Sequence, residues 1–173
     1  ENGVSYLDKN GSKQTADNVT VVESSMTTWN GGWYVVNSNV TIDNRVTVSG
    51  EVHLILADGA SLTANRGINV AERNSFSVYA QSVGENMGTL TANGGEDYST
   101  AGIGSEVGDS GGTITINGGN VTASGGENAA GIGGSQDGSG GTITINGGTV
   151  KATGGDDAAG IGGSGGSGGT ITI

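Results

Sequence analysis

The chain has 173 residues, neither cysteine nor proline, and a formal net charge of −11. That balance excludes a nucleic-acid binder, which needs a basic surface for phosphates, and the missing cysteine excludes disulfides, thiolate nucleophiles and zinc–thiolate sites. Glycine is concentrated, with 28 of its 37 copies in residues 94–173, while every Trp, Tyr and Phe lies at or before Tyr98.

Residues 1–32 carry no repeat; "VSYLDKNGSKQTA" places a turn signal at Asn10–Gly11 between apolar stretches, and "NVTVVE" follows at 18–23. From there the chain cycles. The first triplet of short runs is "WYVV" at 33–36, "NVTI" at 39–42 and "RVTV" at 45–48; the next is "HLILA" at 53–57, "SLTA" at 61–64 and "GINV" at 67–70. Then come "FSVYA" at 76–80, "TLTA" at 89–92 and "AGIG" at 101–104, followed by the clear copies. "GGTITINGG" occurs at 111–119 and, 29 residues later, at 140–148, and "GGTITI" at 168–173 begins a third copy. Each run alternates apolar residues with Thr, Ser, Gly or Lys, the two-residue period of a half-buried strand.

Strands of four or five residues cannot bury an apolar face alone, but stacked copies can. Three short strands per turn, stacked in register about 4.8 Å apart, make a parallel β-helix, an all-β solenoid that places Ile114, Ile143 and Ile171 in one interior column. Glycine pairs such as Gly118–Gly119 and Gly147–Gly148 fall at its corners, and Asn117 and Asn146 end equivalent strands, where their amides stack. The open first rung needs cover, so residues 1–32 are expected to be an N-terminal cap, with Trp29, Trp33 and Tyr34 sealing the end. Residues 33–93 are then degenerate rungs and 94–173 regular glycine-rich rungs that break off mid-rung, which suggests a piece of a longer protein. No apolar run approaches the roughly 20 residues of a membrane helix.

The motifs "AGIG", "GGTITINGG" and "ATGGDDAAGIGG" resemble repeats of large secreted surface proteins of gut Gram-positive anaerobes. The stretch "WYVVNSNVTIDNRVTVSGEVHLILADGASLTANRGINV" resembles the segment that introduces those repeats. More loosely, the array resembles a clostridial family of calcium-containing right-handed β-helix proteins that bind acidic plant polysaccharides. None of that family's metal ligands maps onto a matched position here. The resemblance implies a right-handed coil and an extracellular, surface-attached, non-catalytic protein, and it points toward glycan recognition.

Three residue sets carry candidate chemistry. Glu96–Asp97, Glu127–Asn128 and Asp156–Asp157 occupy the same corner of successive rungs, just after a Gly–Gly pair. Stacked like charges repel by roughly 1 kcal/mol each in water. A bridging calcium ion, which accepts carboxylate and amide oxygens in flexible geometry, would reverse that sign. The bland alternative is a solvated acidic corner that needs no cofactor. Outward Thr113/Thr115, Thr142/Thr144 and Thr170/Thr172 form Thr-x-Thr rows, either a ligand or ice-binding face or simply good exposed strand residues. Tyr98 lies with Glu96 and Asp97 in "EDYST", an insertion at a corner where solenoids place function, and is the preferred recognition site. Catalysis finds little support: His53 has no obvious partner, Lys151 is the one basic residue after Arg73, and Arg45 and Arg66 lack an adjacent carboxylate pair. The expectation is therefore a non-catalytic adhesin or stalk module at a bacterial cell surface, binding a polysaccharide or host glycan. A ligand-free spacer, a polysaccharide lyase or hydrolase, and an ice binder are the alternatives.

Overall fold

The computed structural model describes residues 1–95 and 99–173, which hold strands and no helix. The chain opens with β1 (Val4–Leu7) and β2 (Lys13–Ala16), an antiparallel hairpin, and reaches the solenoid at β3 (Thr20–Val21). The first rungs are β4 (Thr28–Val36), β5 (Asn39–Ile42) and β6 (Val46–Leu56). Then come β7 (Ser61–Ala64), β8 (Ile68–Asn69) and β9 (Ser75–Ala80), and above them β10 (Thr89–Asn93), β11 (Ile103–Gly104) and β12 (Thr113–Ile116). The regular rungs are β13 (Asn120–Ser124), β14 (Ile132–Gly138), β15 (Thr142–Ile145), β16 (Thr149–Thr153), β17 (Ile161–Gly165) and β18 (Thr170–Thr172).

Outside the hairpin, every strand pairing is parallel. One five-stranded sheet, in the order β16-β13-β10-β7-β5, makes one face of the β-helix. The eleven-stranded sheet wraps the other two, because β4 and β6 are long enough to turn a corner. The second face stacks β8, β11, β14 and β17 on the start of β6; the third stacks β9, β12, β15 and β18 on its end.

Register turns the alternating pattern into interior columns. On the third face Val52, Phe76, Ile114, Ile143 and Ile171 stack, with Tyr34, Leu54, Val78, Ile116 and Ile145 beside them. The second face gives Val46, Ile68, Ile103, Ile132 and Ile161, and the first gives Val40, Leu62, Leu90, Val121 and Val150. Phe76, Leu54, Leu62, Ile68, Leu90 and Ile114 are fully buried, each contributing roughly 1.5–3 kcal/mol against exposure. The glycine closing "AGIG" has a packing reason: Gly104 and Gly133 hold φ of 152° and 131°, and a Cβ on either would strike the carbonyl oxygen of the glycine one rung above.

Residues 1–32 divide in two. At the end of the solenoid, β3 pairs with β4, Val22 is buried, and half-buried Met26 packs on the interior. Trp29 is fully buried inside the first rung, with ring centroids 5.7 Å from Tyr34 and 6.0 Å from Phe76. The hairpin, by contrast, lies on the outside of the third face rather than over the end. There Ala16 and Val19 bury Val35 and Ile55, two outward-pointing residues that break the alternation, with Val4 and Tyr6 packed alongside. Trp33, grouped at the sequence level with Trp29 and Tyr34, belongs to this outer layer.

Among the described residues Trp29 Nε1 has no hydrogen-bond partner. Trp29→Ala should therefore cost about 3–5 kcal/mol in chemical denaturation. Trp29→Phe, which keeps most of the volume and removes the orphaned donor, should cost less than about 1.5 kcal/mol.

Candidate functional site

The hairpin gives the third face its chemical variety. Register places Trp33, His53, Ser77, Thr115, Thr144 and Thr172 in one outward row, and Glu51, Ser75, Thr113, Thr142 and Thr170 in its neighbour. The low rungs thus present rings and the high rungs threonines. Tyr6 reaches down from β1 to complete a four-ring cluster. Its centroid lies 4.7 Å from Trp33 and 4.9 Å, edge-on, from Tyr79, while His53 stacks on Trp33 at 4.4 Å. His53 is not solitary: Nδ1 is 3.2 Å from Tyr79 Oη, and Nε2 is 3.2 Å from Glu51 Oε1. Burial pushes the Tyr79 phenol above its ordinary pKa, opposed by a hydrogen bond with Ser77.

Above this cluster runs a groove. Its first section, of about 260 Å3, is lined by Tyr6, Tyr79, Asp8, Lys9, Thr115 and the paired Asn117 and Asn146. Asn146 Nδ2 donates to Asn117 Oδ1 at 2.8 Å, so the amides do stack one rung on the next. The hairpin turn forms the wall. Asp8 Oδ1 accepts from the backbone N–H groups of Asn10 and Ser12, both at 2.9 Å, and Oδ2 accepts from Gln14 Nε2 at 3.1 Å. The bond from Ser12, with those from Asn10 and Gln14 and the nearby Lys9, holds the carboxyl below the usual carboxylate range. Residues 81–88 continue the wall. They replace a three-residue corner such as 117–119, and are tied down by Gln81 Nε2 to Ser5 O at 3.1 Å and Ser82 Oγ to Asp58 Oδ1 at 2.7 Å. The spacing signals this insertion, since eight residues separate Ala80 from Thr89 where three separate Ile116 from Asn120. Neither this loop nor the hairpin wall was singled out from sequence.

The residues that were singled out scatter. Thr115 lines the groove; Thr113 and Thr142 line a shallower one, of about 390 Å3, beside Ser110, Ser139, Glu72 and Arg73; Thr144 lies half-buried in the row above Thr115. The Thr-x-Thr pair covers three rungs and gives way below to Ser75/Ser77 and then to Glu51/His53. Glu96, Asp97 and Tyr98 lie outside the described residues. Glu127, Asp156 and Asp157 are exposed and Asn128 half-buried; Asn128 and Asp157 hold φ of 57° and 56°, the left-handed conformation that Asn and Asp tolerate best. The corner's amide and carboxylate thus have a backbone reason for being there. Among the described residues no group of three or more His, Cys, Asp or Glu is placed to hold a metal ion.

Arg45 is spent on the scaffold. Only 14% of its side chain is exposed, and it bonds Glu106 Oε1 at 2.6 Å as well as the carbonyls of Arg66, Ala101, Gly104 and Ser105. Burial lowers its pKa and Glu106 opposes that shift, so one guanidinium sews the lower rungs to the rung at 101–106. It lies so close to Gly67, at φ 72°, that a Cβ there would stand 2.7 Å from Nη1 and strike the Gly102 carbonyl.

Three stretches of the chain, residues 86–109, 114–136 and 143–166, match the β-helix repeat family. No curated protein and no solved structure matches the chain.

Gly67→Ala should lower stability by more than about 2 kcal/mol, combining left-handed strain with displacement of Arg45, as read by denaturant midpoint. For the hairpin turn the sign follows from Asp8. Its depressed pKa means its stabilisation is complete above the ordinary carboxylate pKa and is lost as pH falls through the lower folded value. Amide exchange at Asn10 and Ser12 should accelerate in that acid window, and Asp8→Asn should abolish the pH step.

Proposed function

We propose that this β-helix repeat protein is a non-catalytic carbohydrate-binding module of a bacterial surface protein, with the ligand held in the groove between the hairpin and the third face. The observation that carries this reading is the lining of the first groove section: tyrosine rings and a stacked pair of side-chain amides in one place. Ring faces and edges suit the apolar C–H surface of a sugar, and amides suit its hydroxyls. The groups that acid/base chemistry would use are committed elsewhere. Asp8 accepts three hydrogen bonds from its own turn, His53 is stacked and hydrogen-bonded, and Arg45 is occupied by Glu106 and four carbonyls. Repetition of the module along a cell surface would turn weak binding at each groove into avidity.

Retention on immobilised polysaccharides and mucin, in calcium and again in chelator, tests the reading. Retention on a glycan in both conditions is expected, reduced at least about fivefold by Asn146→Ala, whose exposed side chain leaves the interior untouched. Failure to bind any glycan in either condition would favour a spacer without ligand, and retention that needs calcium would move the site to the acidic corners.

A further inference from the structure

The groove does not stop at the aromatic cluster. A second section, of about 280 Å3, shares Asp8, Lys9, Asn117 and Asn146 with the first and extends past Gly118 and Gly147. A third, of about 460 Å3, shares Val83, Met87 and Gly148 with the second and reaches Asn120 and Thr149. Each of the first two falls short of the roughly 300–1,000 Å3 of ordinary ligand clefts, but the joined groove reaches that range. One end opens on the third face at Ser77 and Thr115, and the other on the first face at Asn120 and Thr149. The groove therefore follows a rung around a corner, across the solenoid axis.

Its chemistry changes along this path. At the start are rings and the amide pair, where the single hydrogen bond between Asn117 and Asn146 leaves a donor group on the one and an acceptor on the other for a ligand. At the corner the floor is glycine backbone, with no side chain between a ligand and the chain. At the far end Val83, 81% exposed, and half-buried Met87 offer apolar surface beside Asn120 and Thr149. Positive charge is scarce: Lys9 is the one cation among the lining residues, set against Asp8 and Glu85 in a chain of net charge −11. A polyanion entering here would be repelled.

We propose that the groove binds an internal segment of an uncharged, extended polysaccharide laid along the rung, with the loop at 81–88 as a second recognition wall remote from the aromatic cluster. This rests on the carbohydrate-binding reading above and adds chain length, charge class and polarity to it. A groove open at both ends accommodates a passing chain, and one that runs from rings to Val83 contacts more sugar units than a pocket closed around a terminal residue.

The test is calorimetric titration of the whole chain with cello- and xylo-oligosaccharides from the disaccharide to the hexasaccharide, with oligogalacturonates as the anionic series. Affinity should rise at least about tenfold from dimer to hexamer in a neutral series. Val83→Asp, at an exposed position that the fold does not use, should weaken the hexamer at least about threefold and leave the dimer unchanged. Equal affinity at all lengths, a Val83→Asp variant that binds the hexamer as the parent does, or preference for the anionic series would each overturn this inference while leaving carbohydrate binding in place. Absence of binding to either series by a protein that also passes unretained over the polysaccharide panel would remove both.

Discussion

Every rung of this molecule is completed by the next. In the parallel arrangement, the amides and carbonyls of one strand find partners on strands roughly 4.7–4.9 Å above and below, so a change in one rung is felt by both neighbours. The glycine at the end of "AGIG" is a direct consequence. A Cβ on Gly104 would occupy the place of the Gly133 carbonyl, and a Cβ on Gly133 that of Gly162. Close approach between rungs, more than turn-forming preference, is what the repeat preserves. The buried serines obey the same rule, since Ser135 donates its hydroxyl to the Ser105 carbonyl while Ser105 Oγ accepts the Ser135 N–H at 3.1 Å.

This dependence explains where the sequence was informative. The columns through Ile114 and Ile132 were legible because rungs in register must repeat residue types at a fixed interval, and "TITI" and "AGIG" do so. The corner at Asn128 and Asp157 was legible as a pattern but not as a cause: acidic and amide groups recur there, and the backbone's left-handed conformation gives a reason for Asn and Asp independent of any ion. The hairpin's placement was written less plainly. "WYVV" and "HLIL" carry an apolar residue where alternation calls for a polar one, so Val35 and Ile55 face outward. An outward apolar pair demands a second layer, but nothing in alternation alone says which segment supplies it. Assigning residues 1–32 to the open end used the right physics, the need to cover apolar surface, on one of two exposed surfaces. Val22 and Met26 serve the end and the hairpin serves the side.

The aromatic cluster has a structural duty that competes with recognition. Tyr6 packs against both Trp33 and Tyr79, so the rings hold the hairpin down as well as facing the groove. These roles are compatible because the cluster is layered. Trp33 and His53 stack in the lower layer, while Tyr6 and Tyr79 border the opening with Asn117 and Asn146. The rings that border the opening are thereby locked by packing behind them, which would lower the entropic cost of binding the proposed carbohydrate.

A perfectly regular solenoid has no preferred site, because each outward position is repeated one rung up and a ligand gains nothing by choosing between them. The Thr-x-Thr rows have that character over their three rungs. Specificity needs a break in the repeat, and two breaks meet at one corner: the hairpin turn around Asp8, and the eight residues 81–88 standing where the other rungs spend two to four. Gln81 joins them directly by bonding Ser5 of the hairpin, and its side chain also receives the Asp58 N–H at 3.2 Å. The two irregular elements are thus fixed to each other and to the rung beneath. Between them they wall a stretch of plain glycine and asparagine rungs that, without them, would be indistinguishable from the rest of the rod.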